Sequence, residues 1–278
     1  MHRIFCLIAL LIFISEVNPA LADKKSAEPP LISFGVVPQQ SASKLARLWA
    51  PILAHISRQT GLHIAFRTAK DIPTFEQRLA NGEYDLAYMN PYHYTVYHES
   101  PGYQAFAKAR DKQINGILVV SKEGAINNIH QLEGSTLAFP APAAFAASIL
   151  TRAYLNNQGI SFTPRYVSSH DSVYRTVAAG LYPAGGGVNR TLQNMKPEIV
   201  SKLKILWESP GYTPHAFAAH PDFDKNKLAA IQQSMLQLEN TEAGKQLLSA
   251  IKLKGIQPAK NSDWDDVRSL NIGLLFSK

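Results

Sequence analysis

Cysteine is almost absent. The 278-residue chain has one, Cys6, inside the unbroken apolar run Ile4–Ile14 that follows the positive Met1-His2-Arg3. That run is too short to span a bilayer, and Ala20-Leu21-Ala22 follows it as a small-x-small site, the pattern of an export signal cleaved after Ala22. Cys6 precedes most of the run, too early for a lipid-anchor cysteine. Cleavage would leave a chain with no disulfide, no thiol nucleophile and no thiolate metal site. Charge is also sparse: 18% of residues are charged, and the net charge of +7 is scattered rather than gathered into a basic run. That argues against a nucleic-acid arm. No later apolar run reaches transmembrane length, so an exported, soluble, periplasmic protein is expected. No Gly-x-Ser-x-Gly elbow occurs. Ser168-Ser169-His170-Asp171 has the residue types of a hydrolase triad, but adjacent residues cannot form one; no enzyme is expected.

What is there is an α/β rhythm. Asp23–Pro30 reads as a loose leader. Leu31–Val37 reads as a strand, followed by the polar loop Pro38–Ser43. Helical spacing then follows in Leu45, Leu48, Trp49, Ile52, Leu53 and Ile56, ending at Gly61, with Pro51 expected to kink the helix or start its second half. A second strand (62–67), a helix (71–80) and a strand Leu86–Met89 complete β-α-β-α-β, which implies a parallel, helix-covered sheet. The pattern recurs in strands at 103–109, 114–120, 136–139, 164–167 and 204–207. Helices are expected at 146–157, from Ser172 to Ala179, and over most of 191–203, with two more in the tail, 225–252 and 263–270. Gly185-Gly186-Gly187 lacks the lysine and hydroxyl of a P-loop and reads as a flexible turn. Two α/β units in series imply two lobes with a cleft between them.

The stretch Gly82–Tyr94 organises the chain. Asn90-Pro91 reads as a turn that delivers Tyr88, Asn90, Tyr92, His93 and Tyr94 to the C-terminal end of a strand, where open α/β sheets bind ligands. His93, His98, His170 and His215 do not have metal-site spacing, and no metal or cofactor is expected. Tyr92, Tyr94 and Tyr97 could form a stacking surface, but without a basic stripe nucleic acid is not expected.

The order of five motifs resembles the periplasmic substrate-binding proteins of the phosphonate/phosphite/phosphate (PhnD-like) ABC-transporter group. They are Phe34-Gly35-Val36-Val37-Pro38; Trp49-x-Pro51-Ile52-Leu53; Leu79-x-x-Gly82-x-x-Asp85-Leu86-Ala87 with Asn90-Pro91-x-x-Tyr94; Leu132-x-Gly134-x-Thr136-x-Ala138-Phe139; and Ser169-His170-Asp171-Ser172-Val173 with Val177-x-x-Gly180. The resemblance spans about Leu31 to the C-terminus. It implies an α/β, bilobed type II periplasmic-binding-protein fold with crossing strands. Lobe one would be 31–115 plus 212–278, and lobe two 116–211. It also implies an oxyanion held between them, with Tyr94, Tyr88 and Asn90 on lobe one and His170 on lobe two. The chain departs from the family at two places. Pro142–Ala147 stands where a hydroxyl cluster usually starts the lobe-two helix, and Leu181-Tyr182-Pro183 follows Gly180 with no carboxylate. A divergent organic ligand is therefore an alternative to a phosphorus oxyanion. The candidate ligand set is Gln39, Ser41, Tyr88, Asn90, Tyr92, His93, Tyr94, Ala143, Ala144, Phe145, His170 and Asn189. The expected protein is a monomer that captures a small molecule and presents it to an ABC permease. A sensing or protein-interaction module feeding a membrane histidine kinase is the alternative.

Overall fold

The computed structural model describes residues 31–270. The expected export signal over 1–22, with Cys6, and the leader over 23–30 lie outside the described residues. The chain opens with β1 (Ile32–Val36), α1 (Ala42–Thr60), β2 (Ile64–Arg67), α2 (Ile72–Ala80), β3 (Leu86–Met89), α3 (Pro91–Glu99) and β4 (Gln104–Ala109). It crosses to β5 (Gly116–Ser121), β6 (Ser135–Phe139), α4 (Thr151–Asn157), β7 (Phe162–Tyr166), α5 (His170–Ala178), β8 (Ala184–Val188), α6 (Asn189–Gln193), α7 (Pro197–Val200) and β9 (Leu203–Glu208). It then returns through β10 (Ala216–Ala219), α8 (Lys225–Gln237), α9 (Glu242–Ala250), β11 (Ile256–Pro258) and α10 (Asp265–Arg268).

Among the described residues the strands form two sheets, ordered β11-β4-β10-β3-β1-β2 and β7-β6-β8-β5-β9. Each sheet carries helices, giving the bilobed α/β architecture. The two crossing segments pair with each other: the Ile114 amide donates to the Tyr212 carbonyl at 2.8 Å, and the Tyr212 amide to Ile114 at 3.1 Å. The core follows the apolar spacing of the sequence. Helix α1 buries Leu45, Trp49, Ile52, Leu53 and Ile56 on one face, each contributing about 1.5–3 kcal/mol when fully removed from water. It runs through Pro51 as one element and stops at Gly61, whose φ of 70° suits glycine. One apolar cluster extends across both lobes, joining Phe75, Met89 and Tyr94 to Phe145, Ile149 and Val188.

Several expectations change, among them the tail helix expected over 225–252, which is two helices, α8 and α9. Asn90–Tyr94 is not a turn but the start of α3. The Asn90 side chain accepts from the His93 amide at 2.7 Å, and Pro91 takes the first helical position, where its missing N–H costs nothing. Gly185–Gly187 is not a flexible turn but the middle of β8, buried throughout and flanked by β5 and β6. Its glycines are required by close packing: a Cβ on Gly187 would strike the Tyr174 ring, and one on Gly185 would strike Val173. The helix expected at Ala146 starts one residue earlier as a π-helical turn, Phe145–Leu150, and only then becomes α4. Finally, β10 and β11 went unread, and both run antiparallel to their neighbours.

Candidate ligand site between the lobes

Three strand ends converge on the seam between the sheets. β1 delivers Gln39 and Gln40, β3 delivers Tyr88 and Asn90, and β8 delivers Asn189 and Arg190. Because β10 lies antiparallel to β3, with Ala216 opposite Met89, its N-terminal end brings His215 to the same edge. This is the crevice outside strand carboxyl ends where α/β sheets bind ligands.

The lobes touch directly on one side of the seam. The His170 amide donates to the Gln39 carbonyl at 3.2 Å. Asn90 Nδ2 donates to the Ala143 carbonyl at 3.2 Å, and Gln40 Nε2 to Asp171 Oδ1 at 3.4 Å. Gln39, Asn90, Ala144, Phe145 and His170 line a space of only about 10 Å³ there, at or below the room one water needs.

On the hinge side the seam opens into a cavity of about 180 Å³, lined by Tyr88, Asn189, Arg190 and His215 together with the crossing segments. Arg190 spans the lobes. Its Nη1 donates to the Tyr88 hydroxyl at 2.9 Å, its Nη2 donates to Gln39 Oε1, and its guanidinium sits 5.6 Å from the Tyr88 ring centroid. Both hydrogen-bond partners are uncharged, so the cation keeps its charge for a ligand. Lys112 also lines the cavity, and among the described residues no aspartate or glutamate does. Burial first, then the neighbouring Arg190 and Lys252, push the Lys112 ammonium down to about 8. Tyr88 and His215 stack at 4.9 Å and 19°, on a base formed by Trp49 and Phe217.

Two histidines beside Arg190 are buried and neutral. Burial, then the Arg190 charge, holds His170 down to about 3; the same causes in the same order hold His215 well below its ordinary value. Nε2 of each lacks a hydrogen-bond partner within the described residues. Both regain the ordinary value of 6.5 on unfolding, so the unfolded chain takes up their protons first. Stability is therefore complete above about pH 6.5 and falls below it, by on the order of 1 kcal/mol for each histidine by about pH 5.5. Urea midpoints at pH 7.5 and 5.5 check this; equal midpoints would contradict it.

The remaining expected site residues sit elsewhere. Tyr94 is fully buried inside lobe one: its ring packs 4.5 Å from Trp264, and its hydroxyl donates to Asn261 Oδ1 at 3.1 Å and accepts from the Ala105 amide at 3.3 Å. It reaches neither space. The Tyr94→Phe variant should lose about 1 kcal/mol of stability and bind ligand like the parent, as titration and urea unfolding together would show. His93 is buried with Nε2 2.9 Å from Glu76 Oε1. Tyr92 is half-buried, and burial followed by the Glu76 charge raises its hydroxyl. Ser41 is exposed at the start of α1 and makes no cap bond. None of the three lines either space. Arg190, in α6, was passed over although Asn189 beside it was expected, and His215 was missed because β10 was not read at all.

Residues 34–264 match the family described as ABC transporter, phosphonate, periplasmic substrate-binding protein. The chain belongs to that family. Its members are binding proteins rather than enzymes. This phosphonate-binding family member is 21% identical to the phosphate-import protein PhnD of Mycolicibacterium smegmatis, over 86% of this chain and 84% of the other. It is 24% identical to the phosphonates-binding periplasmic protein of Escherichia coli, over 70% of this chain but only 61% of that one. Among solved structures it resembles a binding-protein component of an ABC phosphonate transporter from Pseudomonas aeruginosa, with a TM-score of 0.81 at 16% identity over 88% and 86% of the two chains. A methylphosphonate complex of a Prochlorococcus marinus protein superimposes at 0.80 with 18% identity, over 88% and 98%. These likenesses establish the bilobed fold of the family. No helix among the described residues is long and apolar enough to cross a membrane.

Proposed function

We propose that this family member is an exported solute-binding protein that captures a small anion in the hinge-side cavity and presents it to an ABC permease. In this reading residues 1–22 direct export and are cleaved after Ala22, and the lobes divide as 31–115 plus 212–278 and 116–211. The observation that carries it is Arg190, which among the described residues bonds to the neutral Tyr88 and Gln39 and spans the lobes beside a cavity lined by a second cation and by no carboxylate. An anion there contacts both lobes and Arg190 together, so it favours the closed arrangement over an open one. Of the candidate residues, Tyr88 and Asn189 serve this cavity directly. Gln39 orients Arg190, and Asn90, Ala143, Ala144, Phe145 and His170 form the lobe-to-lobe seam beside it.

Thermal unfolding against phosphate, phosphite, alkylphosphonates, sulfonates, aromatic acids, amines and divalent metals tests this. A ligand that binds only the folded state adds about 2.7 kcal/mol at a hundredfold excess over its Kd. Anions should raise the midpoint, while amines and metals should not. A panel in which no anion does so would overturn the reading.

A further inference from the structure

We propose that the cavity selects an anionic head group carried on a compact apolar body about the size of a benzene ring, and that it rejects ligands bearing an amine. This rests on reading the interlobe cavity as the ligand site. Three features of the cavity point the same way.

The first is size. The cavity measures about 180 Å³, and an apolar cavity of about 150 Å³ is enough to take up benzene. A bare tetrahedral oxyanion would leave most of the space to water. The second is how the walls divide. Arg190 and Lys112 supply charge, whereas Ala109, Ile114, Val188, Pro214 and Leu253 supply an apolar wall. Such a wall rewards a ligand body that displaces water from it. The third is the aromatic pair Tyr88 and His215, which stack on each other and both line the cavity. His215 lines the cavity although only 3% of it is exposed, so it meets a ligand through its ring. An amine on the ligand meets the opposite arrangement, two protein cations and, among the described residues, no lining carboxylate, so like charges face each other.

The experiment titrates the protein calorimetrically with phenylphosphonate, inorganic phosphate, methylphosphonate and aminomethylphosphonate at pH 7.5. Phenylphosphonate is expected to bind at least tenfold more tightly than phosphate or methylphosphonate, with aminomethylphosphonate weakest. The His215→Ala variant should lose about three- to tenfold in phenylphosphonate affinity, the usual range for an aromatic contact, and little in phosphate affinity. Phosphate or methylphosphonate binding as tightly as phenylphosphonate would overturn this inference while leaving anion capture intact. So would aminomethylphosphonate matching methylphosphonate, or an equal His215→Ala loss for both ligands. Binding by none of the four would overturn the capture reading as well.

Discussion

Arg190→Gln should reduce anion affinity by roughly 10–100-fold, the loss expected when a charge-assisted hydrogen bond worth about 1.5–3 kcal/mol disappears. Glutamine keeps part of the length and one donor pair but not the charge. The wild-type guanidinium is oriented by the Tyr88 hydroxyl and Gln39, neither of which neutralises it. The anion would therefore lose its principal counter-charge while the fold keeps its sheets and core. Lysine in its place should recover only part of the affinity, because an ammonium cannot hold Tyr88 and Gln39 and still present a planar donor pair to an oxyanion. Calorimetric titration with phenylphosphonate checks all three proteins. An Arg190→Gln affinity within threefold of the parent would mean that Arg190 does not touch the ligand.

The second large effect is on stability. Gly186→Ala should destabilise the protein by about 3 kcal/mol or more, at or beyond the upper end of the usual overpacking cost. A Cβ on Gly186 would overlap the Ala147 carbonyl oxygen and lie 2.8 Å from Cδ1 of Phe139. One obstacle is backbone, so a rotamer change cannot relieve it. Ala147 also belongs to the π-helical turn that packs against lobe one, so relaxation would have to move the interlobe seam. Urea unfolding gives the cost directly. A loss under 1 kcal/mol would mean that β8 has more room than its packing indicates.

Much of the fold was legible in the sequence because β1, β3, β5 and β6 are short apolar runs bounded by glycine, proline or polar turns. The face of α1 was likewise announced by Leu45, Trp49, Ile52 and Ile56. The unread strands are those whose residue types argue against a strand. Gly185–Gly187 forms one because Val173, Ala147 and Tyr174 leave no room for side chains. Ala216–Ala219 forms one because β3 and β4 hydrogen-bond it on both sides, although alanine has little strand preference of its own. The unread β10 hid His215, since the strand-end rule can be applied only where the strand is recognised, whereas Arg190 was passed over beside the expected Asn189. The opposite error affected Tyr94. Asn90-Pro91 suits a helix start as well as a turn, and as the helix start it turns Tyr94 into the core beside Trp264. Of the proposed site, Tyr88 and Asn189 were expected from the sequence and line the cavity, whereas Arg190 and His215, which line it too, were not.

The most direct measurement is a crystal structure of the protein grown with phenylphosphonate. The phosphonate oxygens are expected within hydrogen-bond distance of the Arg190 guanidinium, with the ring against Tyr88 and His215. Density for the ligand at the Ala144–Ala147 turn instead, or outside the seam between the lobes, would contradict it.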